Sequence, residues 1–534
     1  MKILYLILLT FVLLLPIKKM SGCTNILITK GATIDGSTMI TYAADSHELY
    51  GELYYYPAAD YPEGQMLDIY EWDTGKYLGK IKQARHTYKV VGNMNENQVV
   101  IGETTFTGRT ELKDSTGIID YGSLIYITLQ RAKNARHAIH IIDELTKEYG
   151  YYSTGESFSI SDATEVWIME IIGKGPGNKG LIWVAQRIPD GYISAHANQA
   201  RITTFPLNDT INCLYSKDII SFAREKGYFK GKDKDFDFSA AYAPINFESL
   251  RFCESRVWSI FRRVNSGMEQ YKQYAMGDIT KPRMPLWIKP DKKLNVKDVI
   301  SLMRDHFEGT EMDLSKGFGA GAYSCPYRWR PLTWELDSIE YFNERSISTQ
   351  QTGFSFISQS RDFLPNEIGG LLWFGVDDTY STCYVPMYTG INCAPKPFAV
   401  GTGSFHNFSW ESAFWVFNFV SNYAYSRYSD MIKDIQKVQQ NFENNFIANQ
   451  AIIEKIALEI YKINKDYGKD YLTDYSTKQA LAVTEAYKKL GEFLIYKYLD
   501  GNIKDENNKV THPPYPEWWR RKVVEESGDF YKLR

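Results

Sequence analysis

Cys23 is the residue with the most chemistry to offer. It follows an apolar stretch, Ile3 to Ile17, which opens on Met1-Lys2, closes at Lys18-Lys19 and leads into the small residues Ser21-Gly22. That is the layout of a secretory leader. Cut after Gly22, the chain would begin with a thiol of pKa roughly 8.5 and an α-amine of roughly 7.7 to 8.0 on one residue, a nucleophile and its own base. The amine can take the thiol proton and later hand it to a leaving amine. An uncut amide nitrogen has no such basicity, so activity is expected only after processing. Met20-Ser21-Gly22 is not an ideal small-x-small site, which leaves signal peptidase and self-cleavage both open.

Met20-Ser21-Gly22-Cys23 also approximates a bacterial lipobox, whose cysteine is acylated and anchors the protein to a membrane. Lys18-Lys19 break the usual continuity between the apolar run and such a box. A lipoprotein also needs slack after its anchor, whereas here a strand begins at once, and a catalytic group needs a rigid mount. The nucleophile is the preferred reading, and an envelope lipoprotein with a binding role is the alternative.

The elements that must position Cys23 are short strands. Thr24 to Thr29 is β-branched and apolar, Lys30 to Gly36 supplies a turn with Asp35-Gly36, and Ser37 to Tyr42 returns, so the thiol is expected at the open end of a hairpin. Further strand-like runs fall at Thr87 to Val91, Val99 to Thr105, Glu165 to Ile171, Leu181 to Gln186 and Tyr192 to Ala197, with a helical pattern over Tyr121 to Tyr149. Gly369 to Gly375 and Ser381 to Met387 read as aromatic-rich strands. From Ser409 the period changes: Ile432, Ile435, Val438, Phe442 and Phe446, then Ile453, Ile456, Ile460 and Ile463, then Ala480, Val483, Tyr487, Leu490 and Leu494 mark amphipathic helices.

At 534 residues and 44% hydrophobic content the chain can bury a large core. Its formal charge of −3 and the absence of a long basic run argue against nucleic acid. Lys18-Lys19 end the apolar run short of a comfortable membrane span. The six cysteines show no Cys-x-x-Cys spacing, and only Cys383 and Cys393 lie close enough in sequence to suggest a bridge.

Cys23-Thr24-Asn25-Ile26-Leu27, Asp35 to Ile40, Ala44-Asp45-Ser46, Gly92-Asn93-Met94-Asn95-Glu96, Gly102-Glu103-Thr104-Thr105, Ser194 to Ile202 and Tyr384-Val385-Pro386 follow one another in order. This set resembles the secreted bacterial dipeptidase family, related to secernins, within the N-terminal-nucleophile cysteine hydrolases. The resemblance spans Cys23 to about Gly403. It implies an α+β fold, a four-layer αββα sandwich, and hydrolysis of short peptides, typically dipeptides, without metal or other cofactor. It also implies that Asp45 holds the α-amine of Cys23 or a substrate amine, and that Asn198 donates its side-chain amide to the oxyanion. Arg201 would meet a substrate carboxylate or serve a structural salt bridge, and Thr105 lies near a second oxyanion donor. Many relatives carry arginine where this chain has Tyr42, which points to a different way of reading substrate.

The expected organisation is a removed leader (1–22), an αββα catalytic domain (23–408) and a helical region (409–534) packed on it. The expected protein is exported, to the periplasm or beyond the cell, with a lipid anchor as the alternative; its partners are short peptides, and homo-oligomerisation stays open. An acylase for bile-salt or penicillin-like amides is the sibling reading, since it would use the same cysteine with another pocket. His137 and His140 read as an exposed helix face, Gly317 to Gly321 as a flexible loop near a cleft, and the aromatic-basic clusters Tyr327 to Arg330 and Trp518 to Arg521 as packing or surface features.

Overall fold

The computed structural model describes residues 22–328 and 332–533. Apart from Gly22, the expected leader lies outside the described residues, as do Trp329 and Arg330 of one aromatic-basic cluster.

Strands β1 (Asn25–Ile28) and β2 (Met39–Asp45) form the expected hairpin, with Leu27 opposite Ile40 and Ile28 opposite Met39. A second hairpin, β3 (Met66–Tyr70) with β4 (Tyr77–Lys82), has no counterpart among the expected strands. After β5 (Val100–Thr107), the single helical pattern resolves into α1 (Tyr121–Leu129) and α2 (Ala135–Tyr149). The break is chemical: Asn134 caps the second helix, its side chain accepting from His137 N at 2.9 Å.

Strands β6 (Gly155–Ser161), β7 (Val166–Gly173) and β8 (Leu181–Arg187) meander beside β5, and β9 (Ile193–His196) crosses to pair with β1. Helix α3 (Ser255–Val264) follows, then β10 (Thr352–Gln359), β11 (Leu371–Val376) and β12 (Val385–Tyr388). The chain ends in helices, chiefly α4 (Ala413–Ala424), α5 (Tyr428–Ile463) and α6 (Lys465–Lys497). The stripes at Ile432 and Ile453 belong to one helix, α5.

One sheet of seven strands runs β9-β1-β2-β10-β11-β12, with Trp287–Ile288 outside β9. The other, of eight, runs β8-β7-β6-β5, with Cys213–Tyr215 beside β8 and three two-residue strands beyond β5. All pairings are antiparallel, and the class is α+β. The sheets meet face to face through polar contacts: His196 links Thr104 Oγ1 and Ser159 Oγ, both at 2.7 Å. Burial drives the His196 pKa down to about 3, so the imidazole bridges the sheets uncharged. Gly102 lets β5 close on β1 and β2, since a Cβ there would sit 2.8 Å from the Asn25 side-chain amide and 3.1 Å from Tyr42 Cβ.

Two apolar cores result. Leu124, Ile139 and Ile142 of α1 and α2 pack on Phe158, Ile160, Trp167 and Met169 of the eight-stranded sheet. The larger core joins the inner sheet faces to α3 and the C-terminal helices. Polar clamps fasten α5: Arg304 meets Glu443 bidentately at 2.6 and 3.0 Å, and Arg361 meets Glu454 at 2.6 Å. The suggested Cys383 to Cys393 bridge is not formed, because Cys383 is buried and Cys393 lies at the surface; all six cysteines are free.

Candidate active site

The pairing of β1 with β2 continues past the first strand residue. Ala43 N donates to Thr24 O at 3.0 Å and Gly22 N to Asp45 O at 3.2 Å, which fixes Cys23 in extended backbone at the edge of the core. The cysteine is 5% exposed. Together with Tyr42, Asp45, Asp73 and Tyr121 it lines a small cavity of about 30 Å³, enough to hold an ordered water.

Cys23 Sγ donates to Glu103 Oε1 at 3.6 Å, and Tyr42 OH donates to the same oxygen at 2.5 Å. Burial pushes the thiol well above its ordinary pKa, and the Glu103 and Asp45 carboxylates push it further. The sulfur therefore stays protonated until a base takes the proton. Burial, and after it Glu103, also raises the Tyr42 phenol, so Tyr42 acts as a neutral donor.

Behind Glu103 lies a second buried acid, Glu156, whose Oε1 accepts from Thr105 Oγ1 at 3.0 Å. Neither Glu103 Oε2 nor Glu156 Oε2 has a donor. Burial raises both carboxyls, Glu156 the further because Glu103 opposes its ionisation. Two carboxyls in contact away from water share a proton.

Two arginines from distant segments supply the positive charge. Arg256, at the start of α3, donates to Cys23 O at 2.6 Å, Thr24 Oγ1 at 2.8 Å and Asn198 Oδ1 at 2.8 Å. Burial, with Arg345 repelling it, lowers its pKa to about 10, which still leaves it charged at neutrality. Arg345 donates to the carbonyl of Gly22 and to Asp45 Oδ2 at 2.8 Å, while Thr352 Oγ1 holds Asp45 Oδ1 at 2.7 Å. Burial outweighs these partners and raises the Asp45 carboxyl.

Asn198 follows β9 at a left-handed φ of 64°, a conformation uncommon for a residue with a side chain. With its Oδ1 taken by Arg256, its amide nitrogen must point the other way, and it donates to Thr105 O at 2.7 Å. That bond uses one of two N–H groups. Cys23, Tyr42 and Asp45 thus share one cavity, and Asn198 and Thr105 are tied to each other and, through Arg256, to Cys23.

Arg201 is drawn elsewhere. Its guanidinium meets Glu254 at 2.9 Å and the carbonyls of Ala195, Pro285 and Leu286, and it is 3% exposed. Of the two roles expected of it, the structure shows the salt bridge: four of the five N–H groups of this buried guanidinium go to Glu254 and to three backbone carbonyls. Arg256, Arg345, Glu103 and Glu156 carry no role in the sequence reading. The one signal available was Glu103, an acid inside the otherwise apolar and small-residue run of β5. Among the described residues, no group of three or more His, Cys, Asp or Glu is placed to hold a metal ion, and no helix is long and apolar enough to cross a membrane.

The model of peptidase family C69 matches residues 22–441, beginning beside the cavity's cysteine. The protein named "Probable dipeptidase" of Salmonella dublin is 24% identical over 402 residues, covering 71% of this chain and 84% of that protein. The one of the same name from Latilactobacillus sakei is 24% identical over 394 residues, with 70% and 75% covered. "Dipeptidase A" of Lactobacillus helveticus is 21% identical over 409 residues, with 71% and 77% covered. With its match running from Gly22 through both sheets into α5, the chain belongs to peptidase family C69 and is a hydrolase of peptide bonds.

Proposed function

We propose that the chain is an exported dipeptidase of the N-terminal-nucleophile type, with Cys23 as first residue of the active protein. One observation carries the reading: the family match starts at Gly22, and the next residue is a thiol fixed at a strand tip in a cavity that two carboxylates also line. The facing sheets with helices outside them support an αββα sandwich for residues 23–408, with 409–534 packed on it as a helical region. The names of the relatives support dipeptides as the substrate class.

Once the Gly22 to Cys23 bond is cut, the α-amine of Cys23 takes the thiol proton and the thiolate attacks the scissile carbonyl. The second N–H of Asn198 steadies the oxyanion, its orientation fixed by Arg256. Collapse of the tetrahedral species forms a thioester as the ammonium protonates the departing amine. Water then releases the acyl group, with the amine again accepting a proton. Asp45, charged through Arg345, holds the ammonium end of Cys23.

A chain starting at Cys23 is expected to hydrolyse dipeptides, and one with residues retained before Cys23 to be inert. Assay of both on dipeptides, conjugated bile salts and N-acyl amino acids separates the peptidase from the acylase. The intact mass of the exported protein tests the lipid anchor, since acylation adds hundreds of daltons. Equal activity of the two chains overturns the mechanism.

A further inference from the structure

We propose that Asp73 receives the free α-ammonium group of the substrate and makes it a condition of cleavage. The proposal rests on the dipeptidase reading and names the residue that enforces it. In a dipeptide the ammonium is one carbon removed from the scissile carbonyl, so the group that reads it must line the cavity holding the nucleophile. Two carboxylates line that cavity, Asp45 and Asp73. Asp45 is already engaged by Arg345 and Thr352. Asp73 accepts from Tyr121 OH at 2.9 Å and, among the described residues, has no ion-pair partner.

Its position is built. Asp73 sits in the turn between β3 and β4, next to Trp72, whose ring stacks on Tyr126 at 4.8 Å and whose backbone N–H donates to Asp120 Oδ2 at 2.8 Å. Gly122 makes room for that indole, since a Cβ there would lie 2.4 Å from Trp72 Cγ. The hairpin absent from the sequence reading is thus pinned to α1, and it brings an acid to the nucleophile. Asp73 keeps contact with solvent while its carboxyl lines the cavity, as a residue that meets incoming substrate must. Desolvation, with Asp120, Glu71 and Glu48 adding to it against the Tyr121 bond, raises its carboxyl above the ordinary value. An arriving ammonium relieves that repulsion.

The test uses the protein beginning at Cys23 and compares kcat/KM for Ala-Ala with that for N-acetyl-Ala-Ala. Wild type is expected to favour the free amine strongly. In Asp73→Asn the free dipeptide should lose on the order of 10- to 100-fold, the worth of a charge-assisted bond, and the preference should fall by the same factor. Asp73→Glu should recover part of it. Alkylation of Cys23 by iodoacetamide at the wild-type rate shows that the variant keeps its site. If Asp73→Asn alkylates normally yet keeps the full preference, this assignment is overturned alone. If wild type cleaves no dipeptide, the dipeptidase reading falls and takes the assignment with it.

Discussion

The cavity at Cys23 and the seam beneath α5 both bury charge, and they treat it in opposite ways. At the seam each charge meets its opposite: Arg304 gives two bonds to Glu443 and others to the carbonyls of Thr379 and Thr382, while Glu443 also accepts from Tyr384 N. Arg361 is likewise shared among Glu454, Ile368 O and Gly369 O. At the cavity, among the described residues, no third group donates to Glu103 Oε2 or Glu156 Oε2 and Asp73 has no ion-pair partner, while the thiol is forced above its ordinary pKa. A completed buried pair fixes a shape, whereas an incomplete one keeps its demand for protons and ligands. The same contrast separates Asn198 from Arg201, three residues apart in one motif.

The sharpest break between the two regions is expected from Cys23→Ala. Loss of a nucleophile costs on the order of 10⁶ in kcat in a comparable hydrolase, so dipeptide hydrolysis should become undetectable. The midpoint of thermal unfolding should stay put; undiminished turnover would mean the nucleophile lies elsewhere. Arg304→Met should do the reverse. It leaves Glu443 buried and unpaired, a loss of about 3–5 kcal/mol readable by urea unfolding, with kcat of the folded fraction unaltered. Adding Glu443→Leu should restore much of that stability, and failure to do so would show that packing holds the seam.

Next in size is Asn198→Ala, with an expected 10²- to 10³-fold fall in kcat, about 3 kcal/mol, for one oxyanion donor. Because Asn198 sits at φ 64°, alanine also strains the backbone. Asn198→Gly removes that strain and should be as slow; a glycine variant near wild-type rate would locate the effect in the backbone and not in the amide.

The hairpin of β1 and β2 was legible because its signals are local: β-branched runs and the Asp35-Gly36 turn. Helix α5 was legible as two stripes of one period, and its continuity was not, since a stripe does not report where a helix stops. The joint between α1 and α2 hid for the opposite reason, as the apolar pattern runs through Asn134 while both helices cover the same sheet. Most of the site was beyond such reading. Arg256 and Arg345 reach Gly22 and Cys23 across more than 230 residues of chain, and no spacing rule joins positions that only the fold brings together. Tyr42 beside the thiol was visible, yet the cations that two other segments bring to the site were not.

The smallest expected effect bears most directly on the comparison. In the folded protein both Glu103 and Glu156 are raised from a starting value of 4.5, so the pair holds a proton that the unfolded chain releases sooner. Its contribution to stability is full below about pH 4.5 and declines as pH climbs through the folded values. Glu156→Gln removes one of the two titrating groups and puts a permanent N–H in its place. The variant should therefore match wild type near pH 5 and gain on it steadily toward pH 9, by on the order of 1–2 °C in Tm, with kcat at pH 7 within about threefold. A Tm difference that stays flat across that range would show that the two carboxyls share no proton, and the contrast with the completed pairs at the seam would then narrow to the thiol and Asp73.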